Sequence, residues 1–224
     1  MTGAENYLPR DRTISALAAA ARCCQGCPLY EPATQTVFGE GLASAALMLI
    51  GEQPGDREDR AGQPFVGPAG TLLHRALDDA GIDADRVYRT NAVKHFTFTR
   101  QIGGKRRIHQ RPSRTEVVSC RPWLLAEIEA LRPQVIVCLG ATAAQSLYGS
   151  AFRITAHRGE VLRLPREIGP TARCPALVVV TIHPSAVLRD RDEARRRDAY
   201  DAFVADLRGA RNLIPARAGS GSRG

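Results

Sequence analysis

Nowhere do the 224 residues approach the ~18 consecutive apolar positions that a membrane-crossing helix needs. Met1 to Arg12 holds no apolar run of the secretory kind either. A membrane protein is thereby excluded as an expectation, and a cytoplasmic one is expected. No Gly-x-x-x-x-Gly-Lys-Ser/Thr run occurs, which removes P-loop chemistry, and no internal repeat points to a solenoid. Acidic residues are in deficit, 23 against 31 Lys and Arg, for a formal charge of +8. That balance favours an anionic polymer such as nucleic acid as partner, although many of the arginines also suit a solvated surface. A hydrophobic share of 44% in a chain of this length supports one well-buried core. Six cysteines in a reducing compartment read as metal ligands or buried thiols rather than disulfides.

Four short apolar runs rich in β-branched residues, Ala46–Ile50, Val87–Ala92, Val135–Leu139 and Leu177–Ile182, read as buried strands. Helical patterns fall between them at Gly70–Ala80, Thr115–Leu131 and Ala141–Tyr148, with flanking helices at Thr13–Arg22 and Ala194–Leu207. This alternation predicts an α/β fold, a three-layer α/β/α sandwich around a central four-stranded parallel sheet. Thr97 to Ser113 lacks periodicity and is crowded with Arg, Lys, Gly and Gln, so a long basic loop is expected there. One domain is expected over residues 1–215, followed by a disordered tail at 216–224 that is rich in Gly and Ser.

Open parallel sheets bind ligands just beyond the carboxyl ends of their strands. Here those ends carry Gly51-Glu52-Gln53-Pro54-Gly55-Asp56, Thr90-Asn91, Leu139-Gly140-Ala141-Thr142 and His183-Pro184-Ser185. Glu52, Gln53, Asp56, Asn91 and His183 are therefore nominated as one site. Phe65, on a Gly- and Pro-braced loop, suits a stacking wall. Asn91 offers an amide that can both donate and accept. Cys24-x-x-Cys27 brings two thiolates to one centre and Cys120 supplies a third; this spacing leaves zinc and an iron–sulfur cluster open. Cys138, inside an apolar strand, reads as a core thiol. In the basic loop, Lys105, Arg106, Arg107 and Arg111 read as a phosphate clamp with His109 among them. Lys94, Ser185 and Arg189 are further candidates for phosphate contact. Arg195-Arg196-Arg197 reads as a solvated helix face.

Several of these segments, Val37-Phe38-Gly39-Glu40-Gly41, Gly51-Glu52-x-Pro54-Gly55, Gly62-x-Pro64-Phe65-Val66-Gly67, Thr90-Asn91 and His183-Pro184-Ser185, occur in this order in family 4 uracil-DNA glycosylases, which the chain resembles from Cys24 to Leu207. The loop Lys105-Arg106-Arg107-Ile108-His109 resembles that of the X-type subgroup, which forms a stable covalent complex with uracil-containing DNA. The resemblance implies stacking by Phe65, uracil recognition by Asn91, and a hydrogen bond from His183 to a uracil carbonyl as charge develops on the base. Gln53 would also line the uracil site. It further implies attack of His109 on the sugar, with Glu52 orienting the proton on the other ring nitrogen, and a [4Fe–4S] cluster held by Cys24, Cys27, His95 and Cys120.

The family has glycine where this chain has Gln53, and cysteine where it has His95. Gln53 and Asp56 would fill or polarise the space of a hydrolytic water, while Cys23 is the neighbouring rival to His95 as cluster ligand. The expected partner is uracil-containing DNA, bound by a monomer. A multiple-turnover glycosylase and a module that binds uracil without cleaving it are the alternatives, separated by whether uracil is released.

Overall fold

The computed structural model describes residues 3–100, 106–165, 168 and 176–215. In chain order its elements are α1 (Ile14–Ala21), β1 (Leu47–Gly51), α2 (Asp56–Ala61), α3 (Pro68–Asp79), β2 (Val87–Asn91), β3 (Phe98–Arg100), β4 (Arg107–His109), α4 (Arg114–Leu131), β5 (Val135–Leu139), α5 (Ala141–Tyr148), α6 (Ile154–His157), β6 (Val161–Arg163), β7 (Leu177–Thr181), α7 (Pro184–Arg189) and α8 (Glu193–Asn212). The four expected strands are present, parallel, within a residue of their predicted bounds, and the described sheet runs β2-β1-β5-β7-β6. β6 adds an antiparallel edge beside β7 that corrects the four-stranded expectation. Only three residues long and half exposed, it carries too little alternation to be read as a strand.

Side chains alternate between the two faces of the sheet with the strand period of two. Met48, Ile50, Ile136, Cys138, Val178 and Val180 meet α4 and α5 through Leu124, Ile128, Ala144 and Leu147. Leu47, Leu49, Val135, Val137 and Val179 meet α3 and α8 through Leu73, Leu77, Phe203 and Leu207. Both faces are covered, which is why the strands are apolar throughout rather than alternating. Local signals set the helix starts. Ser113 and Glu116 form a reciprocal capping box at α4, Thr13 Oγ1 accepts from Ala16 N–H at α1, and Pro68 occupies the first turn of α3. A third apolar cluster lies where α1 packs on α4, and it contains Leu17, Ala21, Cys24, Cys27, Cys120 and Trp123.

The segment read as a structureless basic loop is, at both described ends, a hairpin. β3 and β4 pair antiparallel, with Phe98 opposite His109 and Arg100 opposite Arg107. Lys105 and the 216–224 tail lie outside the described residues.

Candidate active site

The β1–β2 register sets Gly51 opposite Asn91 at the carboxyl ends of the two strands. A Cβ on Gly51 would lie 2.3 Å from Asn91 Oδ1 and 2.8 Å from Phe65 Cζ. The amide and the ring therefore converge over bare backbone, and both residues are buried. Phe65 holds φ 60, a left-handed conformation that costs a side-chain-bearing residue roughly 1–2 kcal/mol. Strain of this kind persists where surrounding contacts enforce it. Gly70 is one such contact, because a Cβ there would come within 1.8 Å of the Phe65 carbonyl oxygen.

His183 follows β7 and caps α7. Its Nδ1 accepts from Ser185 N–H at 3.2 Å and lies 2.8 Å from Ser185 Oγ, whose oxygen takes a hydrogen bond from Arg189 Nη1 at 3.0 Å. An accepting Nδ1 leaves the ring proton on Nε2, so the imidazole is a donor at that atom. Burial, followed by the charges of Arg189 and His109, lowers its pKa to about 4, and the ring is neutral at pH 7. Ser185 thus holds His183 and Arg189 together, and its single hydroxyl proton is committed to the imidazole rather than to the phosphate proposed from sequence. Arg189 itself is exposed.

His109 reaches this crevice on β4. The hairpin that carries it is tied down by two sets of side chains. Gln53 Oε1 accepts from Thr97 N–H at 3.0 Å, while its amino group meets Gln110 O at 2.7 Å, His109 Nε2 at 2.9 Å and Thr97 O at 3.3 Å. Because an amide NH2 only donates, Nε2 is the unprotonated nitrogen and the neutral ring carries its proton on Nδ1. The Gln53 side chain therefore acts on the hairpin.

Arg107 makes the second tie. Its side chain is 7% exposed, bonded through Nε to Asp56 and through Nη1 to Asp59 at 2.5 Å, and it lies 4.9 Å over the Phe98 ring. Burial raises the Asp56 carboxyl, but hydrogen bonds from Arg107 and then Arg60 outweigh it and hold the pKa below the ordinary value. Asp56 is consequently a loop anchor. Arg107 is corrected from phosphate contact to clamp, whereas Arg106 is exposed.

Glu52 Oε1 stands 3.7 Å from His109 Nε2. The carboxylate thus faces the same nitrogen as Gln53 and not the opposite one, as the sequence suggested. Its other oxygen accepts from Thr142 Oγ1 at 2.5 Å and lies 3.8 Å from Arg111 Nε. Lys94 is a further correction. It is 1% exposed, and its ammonium bonds Glu127 at 2.5 Å, Thr90 Oγ1 at 2.6 Å and the Asn91 carbonyl at 2.8 Å. No phosphate can reach it. It is instead a strut under Asn91, and Glu127 also accepts from Tyr88 and Thr90.

Cys24, Cys27 and Cys120 are buried in one cluster, with Trp123 Nε1–H on Cys24 Sγ at 3.2 Å and Lys94 N–H on Cys120 Sγ at 3.3 Å. Burial pushes the Cys120 thiol up to about 12, and the charges of Cys27 and Cys24 add to the rise. Among the described residues no three His, Cys, Asp or Glu side chains gather around a point suited to a single ion.

His95 is buried, and burial lowers its pKa to about 4 while the Asp59 charge partly opposes the fall. Thr36 Oγ donates to Ala21 O at 2.9 Å and so must accept from His95 Nε2 at 2.9 Å. The proton is fixed on Nε2, which puts the lone pair on Nδ1, the arrangement found in iron- and zinc-binding histidines whose second nitrogen is hydrogen-bonded. Cys23 is exposed and Cys138 buried as expected, while Cys174 lies outside the described residues.

Sequence reasoning missed Asp59, Glu127 and Thr36, and it placed Thr142 at a strand end without nominating it. Asp59 had a local signal too, standing three residues after Asp56 on one helix face.

The α/β architecture and a polar crevice at four strand ends agree with a model of the uracil DNA glycosylase superfamily that matches residues 38–208, and the chain belongs to that superfamily. More particularly, it is 35% identical over 206 residues to a type-4 uracil-DNA glycosylase of Thermotoga maritima, spanning 92% of this chain and 96% of that protein. It is 36% identical over 166 residues to the type-4 enzyme of Pyrobaculum aerophilum, spanning 74% and 80%. A type-5 enzyme from the same archaeon is 31% identical over 118 residues, 46% and 48% of the two chains.

Proposed function

We propose that this protein excises uracil from DNA and that His109 remains bonded to the sugar afterwards, as in the X-type subgroup. The observation that carries the covalent part is the placement of His109. Its unprotonated Nε2 is held by Gln53 at 2.9 Å and stands 3.7 Å from the Glu52 carboxylate, at the mouth of the crevice.

A uracil turned out of the strand would stack on Phe65 and pair its edge with the Asn91 amide. As the bond between C1′ and N1 breaks, its electrons leave with the base, and His183 Nε2–H donates to the carbonyl oxygen that gains charge. Glu52 opposes the positive charge developing on the sugar. His109 Nε2 then forms the new bond to C1′, the resulting imidazolium loses its Nδ1 proton to water, and the uracil anion takes a proton from solvent. The product is an N-substituted imidazole, a poor leaving group, so the protein turns over once.

A purified sample mixed with a uracil-containing oligonucleotide should give a band that survives heat and detergent, with one uracil released per shifted chain. His109→Ser should lose the band. If free uracil accumulates in excess and no band forms, the conventional multiple-turnover reading holds instead; similarity to type-4 enzymes along nearly the whole chain is the observation that favours it. Absence of both products would leave a uracil-binding module.

We also propose that Cys24, Cys27, Cys120 and His95 Nδ1 hold a [4Fe–4S] cluster. Bound there, it would act as a cross-link between the N-terminal segment and α4, with no part in bond cleavage. Elemental analysis should find about four irons and four sulfides per chain, falling in Cys27→Ala; one zinc per chain would overturn the assignment.

A further inference from the structure

One basic groove is used by none of these steps. It has a volume of about 420 Å³ and lies between the first turns of α4 and the outer side of α5, where Gln145 and Ser146 form the opposite wall. On α4 its wall is Arg114, Val117, Val118 and Arg121. Their spacing of three, four and seven residues puts all four on one helix face. Val118 is 57% exposed.

Neither the Arg114 nor the Arg121 guanidinium has an ion pair or hydrogen bond among the described residues, and Arg121 Nε is buried without a partner. Arg114 also stands at the first position of α4, where the helix dipole disfavours a cation. Helix stability does not explain it there, whereas an anionic ligand would. The nearest carboxylate on the helix, Glu116, is occupied by Ser113 N–H. The groove opens onto the active site through Arg111, which bonds Thr142 Oγ1 and Gln145 Oε1, both at 3.2 Å, while Thr142 donates to Glu52.

We infer that this groove carries the DNA strand on one side of the excised nucleotide, with Arg114 and Arg121 on phosphates and the valines against sugars or bases. Seven helical residues separate the two arginines by roughly 10 Å along the axis, about three nucleotides at the ~3.4 Å rise of a stacked strand. The inference rests on the glycosylase reading for its polarity relative to uracil, but not for the binding itself.

The experiment uses Arg114→Ala/Arg121→Ala, two changes that favour the helix, with circular dichroism to verify folding. Single-stranded oligonucleotides carry uracil near one end or the other. The variant should lose about tenfold in the second-order rate constant of uracil release on the set extended toward the groove and much less on the other set, and on a uracil-free strand its binding should show a salt slope reduced by about 1.4 for two lost phosphate contacts. Equal losses on both sets, or an unchanged salt slope, would overturn the groove. Fluorescence anisotropy on a uracil-free strand separates the two readings. If wild type releases no uracil, the glycosylase reading fails, yet a reduced salt slope in the variant would still support the groove.

Discussion

At the scale of single residues, close approach and buried charge decide the outcome. Gly51→Ala would push a methyl group into Asn91 Oδ1 and the Phe65 ring at once, so uracil processing is expected to fall at least about tenfold, the 1.4 kcal/mol of a modestly displaced contact. Single-turnover rates on a uracil oligonucleotide would measure this, and a wild-type rate would mean that the amide and ring do not form the pocket. His183 gives a pH prediction. With its folded pKa lowered to about 4 from an ordinary 6.5, the unfolded chain takes up a proton between those values that the folded chain refuses. The stability it contributes is complete above pH 6.5 and is lost as pH falls toward 4, reaching about 2 kcal/mol at pH 5. Urea melts at pH 7 and pH 5 should therefore converge in His183→Asn relative to wild type.

At the scale of elements, the hairpin is an appendage fastened from outside. Arg107→Ala leaves Asp59 buried without its cation, and removing one partner of such a pair costs about 3–5 kcal/mol. We expect a lower unfolding midpoint together with a slower approach of His109 to DNA, and partial recovery of stability in Arg107→Lys. The same element marks the limit of what sequence makes legible. Parallel strands buried on both faces appear as unbroken apolar runs, and the crevice follows from where those runs end. The hairpin does not appear, because its ties join Gln53 to Thr97 and Gln110, and Arg107 to Asp56 and Asp59, across 44 to 57 residues of chain. Arginine in a run of polar residues reads as solvated until its distant acidic partners are known.

Across the whole molecule, the buried Lys94–Glu127 pair links α4 to the end of β2, and the Lys94 backbone touches Cys120. Lys94 reads as a DNA-facing cation for the same reason, since Glu127 lies 33 residues away. Lys94→Met should destabilise the protein by about 3–5 kcal/mol, while Lys94→Met/Glu127→Met should recover much of that, because an unpaired buried charge costs more than an absent pair. Denaturant midpoints for the two variants give the comparison; equal losses would mean that packing volume, not charge, dominates.

The hairpin's mode of attachment has a consequence for how such a protein can be altered. His109 belongs to no strand of the central sheet, and its hairpin is held by Gln53, Thr34, the Asp56–Asp59 turn of α2 and the Phe96 ring. On the proposed mechanism, the imidazole is in effect a transplantable cassette. Moving the 96–110 segment with Thr34, Gln53, Asp56 and Asp59 into a relative with this architecture is then expected to carry the proposed trapping step across without redesigning the pocket that selects the base.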